Sequence, residues 1–156
     1  MNDDLGKKAE AKIKEWLDRP DEGYSITRLY DPMGGYYGVN NICDYICYKY
    51  PNIYYIESKA TYEDRFDFNM IRPNQREGLC KVSCIQGCFG WVIVLFAVHK
   101  RAFKFNMTDL QTLIDNDIKS LNIKKIDTWN VAYKELRTIP SRKLLLDYTG
   151  NIEDLI

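Results

Sequence analysis

The sequence predicts an α/β domain with a mixed central sheet and helices on its flanks. Three observations point there. Residues Asp44–Lys59 hold two strand-like runs, rich in tyrosine and isoleucine, around a turn at Lys49–Asn52. Gly90–Val98 is a continuous apolar run, the pattern of a strand covered on both faces. Segments of helical period lie before and after these runs.

The elements follow in order. Leu5, Ala9, Ile13, Trp16 and Leu17 keep the helical period, which predicts a helix over about Leu5–Leu17 with Asp3 and Asp4 as caps. Asp18-Arg-Pro20 ends it. Ser25–Tyr30 reads as a strand. Residues 31–41 form a turn-rich loop with three glycines and paired tyrosines, Tyr36 and Tyr37. Those rings suit stacking on bases and equally suit packing on the domain. Strands over Ile42–Tyr48 and Ile53–Ala60 follow. Pro73 suits the first turn of a helix reaching about Ile85, broken by Gln86-Gly-Cys-Phe-Gly90. Ala102–Phe105 pairs beside the apolar strand. Thr108 caps a helix through Ile118, with Leu110, Leu113 and Ile114 inward. Asp127–Leu136 has no clear period, and Leu144–Leu146 reads as a short strand or an extended tail.

Bulk properties narrow the class. A chain of 156 residues suits a single domain, taken here as 1–156. No apolar run approaches the roughly 20 residues of a membrane span, so no membrane association is expected. No secretory pattern opens the sequence, and the cysteine count is odd, which together predict a cytoplasmic protein. Cys80, Cys84 and Cys88 form a helical stripe. Eight residues of helix rise about 12 Å, too far for one compact cluster, so they read as small buried hydrophobes. The net charge is zero, with 22 basic and 22 acidic residues, which neither announces nor excludes a nucleic-acid partner. His99, the single histidine, follows the apolar strand and reads as a surface residue.

The chemistry concentrates in the tyrosine-rich hairpin. Residues two apart on a strand share a face, so Glu57 and Lys59 stand side by side. Folding the two runs antiparallel returns Asp44 to Glu57. Two carboxylates and an ammonium at one sheet edge make a hard-cation site with a positioned amine, the equipment for Mg²⁺-dependent phosphodiester cleavage. Spacing alone makes Glu10 an exposed helix carboxylate and Gln75 a surface glutamine.

Asp44 followed by Glu57-Ser-Lys59 resembles the Asp…(Asp/Glu)-x-Lys core of the restriction-endonuclease-like nucleases. The surroundings resemble the RecU-type Holliday junction resolvases. Gly6-x-x-x-Glu10 is similar to that family's upstream glycine and glutamate, and Tyr55–Ala60 to its strand ending in Glu-Ala-Lys. Phe66–Met70 with Asn74-Gln75, Gln86–Phe96, Ile139-Pro140 and Leu146-Asp147-Tyr148 extend the likeness over most of the chain. Asn74 stands where the family has histidine, Ser58 where it has alanine, and Tyr30–Asn41 is shorter than the family's stalk.

The resemblance implies a restriction-endonuclease-like core and a homodimer acting on branched DNA, with recombination proteins as possible partners. It implies roles for Glu10, Asp44, Glu57, Lys59 and Gln75. Asp44, Glu57, the Ser58 carbonyl and Glu10 are the expected ligands for Mg²⁺, with Mn²⁺ as a substitute. Lys59 is expected to orient the attacking water, and Gln75 to hold that water or a phosphate oxygen. Lys7, Lys8, Arg65, Arg72 and Arg76, with Tyr36 and Tyr37, are expected to grip DNA. A compact nuclease of this kind suits a phage genome. Two alternatives remain open: a nuclease of the same fold acting on non-junction DNA, and a non-catalytic DNA-binding scaffold.

Overall fold

The computed structural model describes residues 2–30, 40–141 and 145–156. Its centre is a six-stranded mixed sheet. In chain order the first elements are α1 (Asn2–Leu17), β1 (Tyr24–Arg28), β2 (Tyr45–Lys49), β3 (Asn52–Thr61) and β4 (Arg65–Asp67). There follow α2 (Pro73–Ser83), β5 (Cys88–Phe96), β6 (Arg101–Asn106), α3 (Met107–Asp115) and β7 (Ser120–Asn122). The chain ends with β8 (Lys134–Glu135), β9 (Thr138–Pro140) and β10 (Leu146–Tyr148). The sheet order is β1-β2-β3-β5-β6-β8. β3 and β5 run parallel, joined by a crossover that carries α2, while the other neighbours are antiparallel.

The period-2 pattern of β3 assigns its residues to two cores. Tyr54 and Ile56 point to the face covered by α1 and the C-terminal segment. Tyr55 points to the opposite face, covered by α2 and α3. β5 splits the same way, with Trp91, Ile93 and Leu95 on one side and Val92, Val94 and Phe96 on the other. Every residue from Gly90 to Phe96 is buried, as a strand covered on both faces must be. α1 buries Leu5, Ala9, Ile13, Trp16 and Leu17 against the first core. The C-terminal segment is clasped onto α1. Trp16 Nε1 and Arg19 Nη2 both donate to the Gly150 carbonyl, at 3.0 and 2.9 Å, and Lys12 pairs with Asp147 at 2.6 Å.

Two glycines set how close α2 lies. A Cβ at Gly90 would overlap the Leu79 carbonyl of α2, and one at Gly78 would overlap the Ile42 side chain. Small residues here let α2 settle onto β5 and onto the chain just before Asp44.

Several expected boundaries move. Asp3 and Asp4 lie inside α1 rather than capping it, because the helix begins at Asn2. Asn106, not Thr108, holds the N-cap position of α3. α2 ends at Ser83, where Cys84 N–H turns back to the Lys81 carbonyl, so Ile85 is left exposed outside it. The C-terminal strand is Leu146–Tyr148, paired antiparallel with β9. The pairing of β4 with β7 was not expected; each is three residues long, too short to announce itself by period.

Candidate active site

The β2–β3 hairpin builds the site. Its register places Tyr45 opposite Ile56, so Asp44, immediately before β2, comes beside Glu57. Asp44 N–H donates to the Ile56 carbonyl at 3.0 Å, and the Asp44 carbonyl accepts from Leu29 N–H at 2.8 Å. With its backbone held on both sides, the Asp44 side chain turns to β3, where Oδ2 accepts from Ser58 N–H at 2.8 Å. Ser58 thus steadies Asp44 through its backbone, whatever its side chain.

Glu57 lies on the α2 face and is only 2% exposed. Its Oε1 accepts from Lys59 Nζ at 2.7 Å and from Gln75 Nε2 at 2.8 Å. Its Oε2 is buried without a hydrogen-bond partner. Gln75 is also 2% exposed, so the surface reading of it fails. Its Oε1 accepts from Arg72 N–H at 3.0 Å, satisfying a free donor at the start of α2. Both ends of the amide are therefore engaged, and Gln75 orients the Glu57 carboxylate.

The electrostatics carry a residual strain. Burial, then repulsion from Asp44, pushes the Glu57 carboxyl up to about 7, against the opposing pull of Lys59 and Gln75. Burial also raises Asp44, opposed by the Ser58 N–H, Lys59 and Arg28. Glu10 is raised by burial and by Asp44, and is held down by Arg28 and Lys59. Three carboxylates thus share one region with too little positive charge for all of them.

That imbalance, with the orphaned Glu57 Oε2, fits a divalent cation. Among the described residues no group of three or more His, Cys, Asp or Glu is placed to hold one. Asp44 and Glu57 are the two carboxylates that could hold such an ion, enough for a cation that keeps several of its waters. Glu10 is engaged elsewhere, in an ion pair with Arg28 at 2.6 Å. Arg28 had no place in the sequence reading. Its only signal there was a cation on the strand leading into the glycine-rich loop.

A cleft of about 520 Å³ is lined by Lys7, Glu10, Ser58, Lys59 and Arg65 among others; it meets the hairpin at Ser58 and Lys59, and neither Asp44 nor Glu57 lines it. Lys59 thus faces Glu57 on one side and open space on the other. Lys7 and Arg65 are exposed on its walls. Lys8 pairs with Asp4 on the outer face of α1. Arg72 is exposed at the start of α2. Arg76 borders a separate shallow depression with Glu77, Cys80 and Lys81. The expected DNA-gripping residues therefore do not all belong to one cleft. Tyr36 and Tyr37 lie outside the described residues.

The remaining reactive side chains stand apart. All five thiols are unpaired. Burial pushes Cys43 and Cys47 up to about 12, so both are inert at neutral pH. His99 pairs with Asp64 at 2.6 Å in the turn after β5.

The family model of recombination protein U matches residues 27–154, most of the chain and all of the Asp44–Lys59 hairpin. The chain belongs to this family. It is therefore a DNA endonuclease of the Holliday junction resolvase kind. No curated protein matches it. Among solved structures it is similar to Hjc of Archaeoglobus fulgidus, a Holliday junction resolvase from an archaeal hyperthermophile. The match has 15% identity and a TM-score of 0.45, and it covers 66% of this chain and 78% of that one. At that score the family assignment rests on the family model. No helix among the described residues is long and apolar enough to cross a membrane.

Proposed function

We propose that this chain resolves four-way DNA junctions by Mg²⁺-dependent cleavage, as a symmetric homodimer making one nick per protomer. The observation that carries this reading is Glu57: a buried carboxylate braced by Lys59 and Gln75, with a bare oxygen beside Asp44. Asp44 and Glu57 would hold the ion, with the Ser58 carbonyl as a further donor. A bound divalent cation supplies charge for the phosphodiester and lowers the pKa of a coordinated water.

The chain's own residues do the rest. Gln75 and Lys59 keep Glu57 aimed at the ion. Lys59, bordering the cleft, donates to the attacking water or to a phosphate oxygen as charge builds there. Lys7 and Arg65 on the cleft wall offer sequence-independent grip on the backbone, with salt-dependent binding. Glu10 on α1 borders the same cleft, paired with Arg28.

The dimer follows from geometry. Resolution requires two nicks related by a two-fold axis, one chain carries one Asp44–Glu57–Lys59 set, and two chains about a two-fold axis supply two sites in matching orientation. Five unpaired thiols suit a reducing compartment, the cytoplasm.

The deciding experiment uses purified protein with labelled four-way junction, linear duplex and single strand, each with and without Mg²⁺. Paired symmetric nicks in the junction, only with metal, are the expected result. Equal cutting of duplex would favour a nuclease of broader substrate, as the short Tyr30–Asn41 segment would allow. Binding without cutting under any divalent ion would leave a scaffold. Sedimentation at micromolar concentration should show a dimer, and a strict monomer would remove the symmetric mechanism.

A further inference from the structure

Arg28 is the unassigned charge of this site. It is the last residue of β1 and pairs across to Tyr45, next to Asp44. Its Nη2 donates to Glu10 Oε2 at 2.6 Å, while its Nε is buried without a partner. The guanidinium lies over the Tyr30 ring, 5.2 Å from the centroid, and within 5.8 Å of the Tyr45 centroid. Tyr45 Oη in turn donates to the Glu10 carbonyl at 3.1 Å. Arg28 therefore touches three things at once: the helix that carries Glu10, the strand that follows Asp44, and the chain entering residues 31–39.

We propose that Arg28 is a positioning residue that keeps the Glu10 carboxylate paired, and so unavailable to a metal ion, in the free protein and exchanges it for a DNA phosphate on binding. This rests on the reading of Asp44 and Glu57 as metal ligands given above.

The chemistry of exchange is favourable on each side. A guanidinium matches carboxylate and phosphate with the same planar fork, so a phosphate can replace Glu10 without loss of geometry. The Arg28 Nε–H is buried, so a phosphate would meet the partly exposed guanidinium end, whose Nη2 now bonds Glu10. The Tyr30 ring under the guanidinium holds its plane. Glu10 released beside Asp44 cannot rest there as a second bare carboxylate, and the divalent cation is its natural counter-charge. DNA arrival is thereby coupled to completion of the metal site, and cation-loaded protein without substrate stays incomplete.

The test measures binding, not cleavage. Mn²⁺ affinity of the free protein is read by electron paramagnetic resonance, and junction affinity in EDTA by fluorescence anisotropy. Arg28→Gln should tighten free-protein Mn²⁺ binding by about fivefold, the lower end of typical coupling between sites. Its junction binding in EDTA should weaken by a similar factor. The gain in Mn²⁺ affinity should vanish when Glu10→Gln is added. A gain that persists in the double variant would be a general charge effect and would overturn the latch. So would unchanged or weaker Mn²⁺ binding by Arg28→Gln, or unchanged junction binding. Glu10→Gln alone sets the baseline for that comparison: with the latched carboxylate gone, removing Arg28 as well should leave Mn²⁺ affinity where the single variant has it. If the unaltered protein binds Mn²⁺ and cuts DNA, any of these failures sinks the latch alone. If it binds no Mn²⁺ at all, the reading of the site falls as well.

Discussion

Glu57 and Asp64 lie close together in sequence, one within β3 and the other just after it, and each accepts from two side chains. Glu57 meets Lys59 and Gln75, at 2.7 and 2.8 Å. Asp64 meets His99 and Lys124, at 2.6 and 2.7 Å. The two carboxyls nevertheless move in opposite directions. Asp64 is lowered by its two hydrogen bonds. Glu57 is raised to about 7, because burial and Asp44 outweigh its partners. Close partners therefore do not identify a site. What marks Glu57 is charge that the fold has buried and left under-compensated, which is the condition a cation can relieve.

The largest test of this contrast is Asp44→Asn. It removes half of the carboxylate pair and should cut junction cleavage by about 10³-fold, the scale for losing one group that acts on the transition state. Junction binding in EDTA should change by no more than about twofold, since phosphate grip comes from Lys and Arg. Equal loss of both would mean that Asp44 holds the fold rather than the ion.

Glu57→Gln sharpens the contrast through stability. The folded-state pKa of Glu57 is raised above its unfolded value, so the proton stabilises the native state. That stabilisation is full below about pH 4.5 and is lost as pH rises through about 7. Thermal melts without metal should show the variant more stable than the parent by about 1–3 kcal/mol at pH 8, and nearly equal to it at pH 5. The parent's cleavage at sub-saturating Mg²⁺ should rise with pH through neutrality, as the ligand form of Glu57 appears.

Gln75→Ala should cost about 1–2 kcal/mol of stability, by stripping a cap from Arg72 N–H and a donor from Glu57. It should also move the cleavage midpoint to higher pH, since the Gln75 hydrogen bond holds the Glu57 carboxyl down. A midpoint that stays in place would mean that another donor replaces the amide.

The smallest effect belongs to Asp64→Asn. Its ion pairs are at the surface and screened, so cleavage should be unchanged, and any small fall in melting temperature should disappear in high salt. A loss of cleavage would join this second cluster to the site.

The hairpin was legible because its signals are local. Alternation puts Glu57 and Lys59 on one face, and the turn at Lys49–Asn52 fixes the register that returns Asp44 to them. The buried strand was equally plain, since nothing but two covered faces suits a run such as Trp91–Phe96. Spacing alone left Gln75 a surface residue, and only the family resemblance gave it a role. Its burial depends on α2 descending onto β5 and Ile42, through contacts at Gly78 and Gly90 that no period announces.

Within this chain, the sequence by itself determined the strand pairing at the heart of the site, the residue types that line it, and the helices that flank it. Those follow from side-chain period and turn chemistry, which act over a few residues. Only the tertiary structure decided which charges meet. Glu10 on α1 and Arg28 on β1 belong to different elements, and they become partners because α1 packs across the first core beside the start of β2. Whether Glu57 is an ordinary carboxylate or one raised to about 7 is likewise a matter of what surrounds it. Burial and the field of Asp44 are properties of the assembled fold, and neither resides in any single residue.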